Sequence, residues 1–84
     1  MDELMLDGNA AAGLLYEIFG ADMTAAIGTC DHCGEVGEVG RTHLYRGAGV
    51  TLRCPCCEAV LMKIAVAETR FWIDLRGIRT LQLN

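Results

Sequence analysis

No lysine or arginine occurs before Arg41, and no uninterrupted apolar run approaches the roughly 18–20 residues that cross a membrane. The first absence removes the positively charged start of a secretory signal. The opening Met1-Asp2-Glu3-Leu4-Met5-Leu6-Asp7 carries three acids and no base. The second absence removes a membrane-spanning helix. No repeat, low-complexity tract or long linker divides the chain. No glycine-rich phosphate loop follows a strand and opens a helix, so Gly47-Ala48-Gly49 is read as a plain turn. The acids form no recognisable pair, and neither His32 nor His43 has the neighbours of a Cys/His catalytic set. No enzyme is expected. The expected compartment is the cytoplasm, where paired cysteines bind metal more often than each other.

What is present is thiol in an ordered pattern. Of five cysteines, four bound two clips, Cys30-Asp31-His32-Cys33 and Cys54-Pro55-Cys56-Cys57, with twenty residues between them. Each Cys-x-x-Cys closes a tight turn that points both sulfurs the same way, and a hairpin between the clips brings them face to face. Four thiolates about 2.3 Å from one ion complete a closed tetrahedron, the arrangement of a structural zinc site. The candidate metal ligands are Cys30, Cys33, Cys54 and Cys57, holding one Zn2+ per chain, with Fe as the alternative ion. Cys56 lies inside the second clip and competes with Cys57 for the fourth position, although the two-residue spacing favours Cys57. Gly34 follows the first clip and permits the left-handed backbone such turns adopt. Glu58 stands at the equivalent place after the second, which predicts a weaker turn there. His32 and His43 are read as solvent-facing or packed, because four better-spaced thiolates already fill the shell.

At 84 residues the chain is one domain, and folds this small usually need a staple. A structural zinc supplies one, worth roughly 10–16 kcal/mol of apparent binding energy in small zinc peptides. Hydrophobic residues make up 52% of the chain, which points to surface covered by a second copy or another partner. Charge is divided: the net of −4 combines about −8 over residues 1–40 with about +4 over residues 41–84.

Along the chain, residues 10–19 read as a short helix capped by Asn9 and ended by Gly20, with Ala11, Leu14, Leu15, Ile18 and Phe19 on one side. A strand within 22–27 leads into the first clip, and a glycine-punctuated loop follows it over 35–40. Residues 41–46 and 50–53 read as strands that deliver the second clip, followed by a long apolar strand over 59–67. Residues 70–76 alternate, with Phe71, Ile73 and Leu75 on one face and Arg70, Trp72, Asp74 and Arg76 on the other. The apolar tail 78–84 adds an edge strand. Trp72, with Arg70 and Arg76, forms an aromatic and arginine cluster of the kind found at interfaces. The plainer expectation puts Trp72 beneath the helix, completing the core.

The two clips, the opening residues 1–13 and the closing Trp72-Ile73-Asp74-Leu75-Arg76-Gly77 resemble a family of short bacterial zinc-ribbon proteins of unknown function, over the whole chain. The resemblance implies a four-cysteine zinc site at Cys30, Cys33, Cys54 and Cys57 and gives no substrate or partner. The expected fold is a small metal-stabilised α+β domain: an antiparallel zinc ribbon of three to five strands with an N-terminal helix packed on it. Residues 1–22 are expected as a helical segment and 23–84 as the ribbon with its C-terminal hairpin. The expected function is a non-enzymatic, zinc-binding interaction module. Its contact surface would be Arg70, Trp72 and Arg76, or the helix face of Leu14, Leu15 and Ile18, against a second copy of the chain or an oxidoreductase. Electron transfer by a rubredoxin-like mononuclear iron is an alternative. Nucleic-acid binding is another and is disfavoured, because the acidic first half should repel phosphate.

Overall fold

The computed structural model describes residues 5–83, so the sequence expectations for residues 1–4 and for Asn84 fall outside the described residues. Eight strands form two antiparallel sheets, with one short α-helix among the described residues. The strands are β1 (Met5–Asp7), β2 (Ile27–Cys30), β3 (Val36–Glu38), β4 (His43–Arg46), β5 (Val50–Arg53), β6 (Val60–Ala67), β7 (Arg70–Asp74) and β8 (Ile78–Gln82). Strand order is β1-β4-β5-β6-β7 in the larger sheet and β3-β2-β8 in the smaller.

The helix α1 (Ala12–Phe19) ends at Gly20, whose φ of 73° lets its N–H reach the Tyr16 carbonyl. Its entry differs from expectation. A 3-10 turn (Gly8–Ala11) precedes it, and the cap is Asp7, whose carboxylate accepts from the Asn9 N–H at 3.1 Å. Residues 5–7, assigned to a helical segment on sequence, are a strand, because Met5–Asp7 pairs in register with His43–Tyr45. The loop expected at 35–40 is likewise ordered into β3 and a 3-10 turn (Val39–Arg41), with Thr29 paired to Val36. The stretch before the first clip is a 3-10 turn (Met23–Ala25) and then β2.

Leu44, Leu52, Met62 and Ile64 alternate inward from β4, β5 and β6 and meet Leu15 and Met23, all essentially fully buried. Leu15 is 0% exposed, with Leu14 and Ile18 packed partly buried beside it. The helix face proposed on sequence as a contact surface is therefore the inside of the protein. The large apolar side chains the helix presents to solvent are Tyr16 and Phe19, with Glu17 beside them.

Beside β7 the other face of the larger sheet is open: Lys63, Ala65 and Trp72 are all exposed. That places Trp72 outside, opposite Ala65 on β6, and leaves it 62% exposed. The expectation that it completes the core beneath the helix fails, because α1 covers the face of Met62 and Ile64, and Trp72 points the other way. No helix among the described residues is long and apolar enough to cross a membrane.

Candidate metal centre

The two clips sit at equivalent places in the two sheets. Cys30 ends β2, and the chain turns through Asp31–Cys33 into β3. Cys54 follows β5, and the chain turns through Pro55–Cys57 into β6. The turns share one hydrogen-bond plan. In the first, Gly34 N–H donates to the Cys30 carbonyl at 2.9 Å and Cys30 N–H to the Glu35 carbonyl at 2.9 Å. In the second, Glu58 N–H donates to the Cys54 carbonyl at 2.8 Å and Cys54 N–H to the Ala59 carbonyl at 2.9 Å.

That plan requires a left-handed residue after each second cysteine. Gly34 takes φ 83°, and Glu58 takes φ 64°. The weaker second turn expected from Glu58 is not what forms. The strain of a side chain in this region is offset by what the side chain does: its carboxylate binds His43 Nδ1 and accepts from the Tyr45 hydroxyl at 3.2 Å. Its carbonyl also accepts from Arg53 at 2.8 Å. His43 is thereby a support for the second turn and stands outside the thiol group. Arg53 further stacks over the Tyr45 ring, 5.7 Å from its centre.

The sulfurs of Cys30, Cys33, Cys54 and Cys57 lie within 4.8 Å of one another, a group that could hold a metal ion. Across the turns, Cys30 Sγ is 3.8 Å from Cys57 Sγ, and Cys33 Sγ is 3.7 Å from Cys54 Sγ. A tetrahedron with bonds of about 2.3 Å has edges of about 3.8 Å, so these separations fit a tetrathiolate shell. All five cysteines are free thiols with no disulfide. Cys56 is exposed and outside the group, which decides between it and Cys57. Its contribution is its backbone, whose N–H donates to Cys54 Sγ at 3.4 Å.

Backbone donors prepare the sulfurs for negative charge. His32 and Cys33 N–H groups point at Cys30 Sγ at 3.3 and 3.5 Å; the His32 ring takes no place in the group. Burial works against ionising Cys30, yet these donors and the adjacent thiols bring its pKa down to about 7. Cys57 moves the opposite way, to about 12. Although the Ala59 N–H favours its thiolate, burial and the three neighbouring thiols outweigh that donor. Four thiols this close cannot all ionise alone; a divalent cation held by Cys30, Cys33, Cys54 and Cys57 would stabilise the thiolates and let the last proton leave. The inner wall is apolar: Cys30 and Cys54 are buried against Leu61, with Ile78 beside them.

Sequence reasoning missed the clamp that joins the two halves. Between β7 and β8 the chain turns at Arg76-Gly77, and Gly77 accepts the Asp31 N–H of the first clip at 2.9 Å while lying flat on Val60 and Leu61 of β6. Arg79 on β8 adds two bonds to Asp31, to its carboxylate at 3.1 Å and its carbonyl at 3.2 Å. Gly77 had been legible only as the end of a strand.

No curated protein and no solved structure matches the chain. Residues 1–84 match the family of unknown function DUF6510, and the chain belongs to that family.

Proposed function

We propose that the protein is a zinc ribbon whose ion is structural, serving as a non-enzymatic protein-interaction module. The observation that carries this is closure of the thiol group. Four sulfurs at tetrahedral spacing fill the shell and leave no position for a substrate or a reactive water. Among the described residues nothing beside the group pairs a nucleophile with an orienting base, since His43 is committed to Glu58.

Iron would accept the same four ligands, and the sequence argument against it, Glu58 in place of glycine, loses weight once Glu58 takes the glycine-like conformation. Zinc is preferred for another reason: the apolar residues against the buried sulfurs are Leu61 and Ile78, with no aromatic among them. Elemental analysis with a visible spectrum of protein from iron-replete expression tests the assignment. One zinc per chain in a colourless sample is expected. One iron per chain, red when oxidised and bleached on reduction, would replace this function with electron transfer.

The interaction surface is the exposed face of β7 with Arg70, Trp72 and Arg76, all solvent-exposed. A side chain that exposed adds little to the core. Trp72→Ala is therefore expected to leave metal content and thermal midpoint close to wild type while weakening association. Unfolding of this variant would mean that Trp72 is structural and that the surface lies elsewhere.

A further inference from the structure

We infer that β7 is the interface for a second copy of this chain, joined edge to edge in antiparallel register about Trp72. This deepens, and rests on, the proposed role as an interaction module.

β7 is the outer strand of the larger sheet, so the backbone groups along its free edge have no strand partner among the described residues. It is five residues long, contains no proline, and runs without a bulge against β6. Natural edges are usually guarded by one of those devices. β8, the other five-residue edge, instead exposes Arg79, Thr80 and Gln82. β7 is also apolar on both sides. On one face Trp72 stands 62% exposed; on the other, Ile73, opposite Ile64, is 37% exposed and Val66, opposite Phe71, is 50% exposed. A strand bare on both faces and along one edge fits a continuing sheet better than a rigid globular ligand.

The occupant follows from the order of residues Arg70-Phe71-Trp72-Ile73-Asp74. Antiparallel pairing of two copies centred on Trp72 sets Trp72 against Trp72, Phe71 against Ile73, and Arg70 against Asp74 of the second copy. Two-fold symmetry repeats each of the last two pairs. Directly opposed residues share a face, so the tryptophan pair is flanked on both sides by an arginine–carboxylate pair, and the aromatic–aliphatic pairs lie beneath. The segment is complementary to itself in charge and in shape. Arg70 has no ion pair among the described residues, whereas Asp74 is already ionised and held by Arg76 at 2.7 Å. Both its carboxylate oxygens already accept from Arg76, Oδ1 from the backbone N–H and Nε and Oδ2 from Nε and Nη2, so an incoming guanidinium would share this carboxylate with Arg76.

The test is sedimentation equilibrium on the metal-replete protein and on two charge variants. Wild type is expected at twice the chain mass. Arg70→Glu sets two like-charged pairs across the two-fold and is expected to weaken dimerisation roughly tenfold or more. Arg70→Glu/Asp74→Lys restores both pairs with their signs exchanged, and dimerisation is expected to return. A wild type that remains monomeric at millimolar concentration overturns the inference. So does a dimer indifferent to Arg70→Glu, or a double variant as weak as the single. Amide exchange of the wild type, dilute against concentrated, needs no substitution: protection that rises with concentration along 70–74 is expected, and protection rising elsewhere overturns the inference. Metal content of the same samples separates this from failure of the zinc assignment, since β7 lies outside the thiol group.

Discussion

Chelating the metal, or replacing Cys54 with serine, is expected to separate the two hairpin tips and lower the thermal midpoint by roughly 20 °C or more. Cys54 is 1% exposed and faces Cys33 across the turns, so its loss leaves a three-thiol shell in a buried position. Structural zinc contributes about 10–16 kcal/mol in small peptides that have no other core. Here the main cluster around Leu15, Leu44, Leu52 and Met62 stands apart from the thiols and should survive in part. Even about 4 kcal/mol lost would move the midpoint by some 16–32 °C, at the 4–8 °C per kcal/mol typical of a domain this size. Hydrogen exchange should show protection lost first in β2, β3 and β8 and last in β4, β5 and β6. Cys56→Ser is the control, and neither its metal content nor its midpoint should move, since Cys56 is exposed and outside the group. Equal loss in both variants, or a midpoint indifferent to chelation, would deny the metal its structural role.

Gly77→Ala is expected to damage the same centre from outside it. A Cβ at Gly77 would collide with the Val60 carbonyl and come within 2.6 Å of the Leu61 Cα. Both obstacles are backbone of β6, held in its ladder, and cannot rotate aside. Overpacking typically costs about 1–3 kcal/mol, and a backbone obstruction belongs at the top of that range or beyond it. The chain has to lift off β6, and two attachments go with it: the Gly77 carbonyl that holds the Asp31 N–H, and the approach of Arg79 to Asp31. Since Asp31 lies in the first clip and β6 leads out of the second, lifting this turn spreads the sulfurs. Titration with a competing chelator should therefore show weaker metal binding together with a lower midpoint. A variant with normal metal affinity would show that Gly77 serves packing alone.

These two effects differ in how far they could be read from the chain. Cys30, Cys33, Cys54 and Cys57 are recognisable because the Cys-x-x-Cys turn is local: four residues and their hydrogen bonds direct both sulfurs, and twenty residues suffice for a hairpin between clips. The apolar stripe of α1 was legible for a similar reason, as Leu14, Leu15 and Ile18 repeat at helical spacing, but the repeat did not say whether a partner or the core covers it, and Phe19 on the same stripe is exposed. The strand β1 was not, because three residues hold no strand signal and exist as one only through pairing with β4, some 38 positions away. Glu58 was misjudged because its left-handed backbone is secured by His43 and Tyr45 on β4, which sequence distance hides.

Trp72 marks the boundary most clearly. Alternation along residues 70–76 separates two faces, a local property that the sequence alone determined, as it determined the thiol spacing and the helix stripe. Which face is covered depends on the order β1-β4-β5-β6-β7, on α1 resting over Met62 and Ile64, and on β7 falling at the edge. Those are relations between distant segments, set by the packing of the whole chain. Only the tertiary structure could turn Trp72 outward, bury Leu15 and lay Gly77 against β6, because each depends on a neighbour that local geometry does not specify.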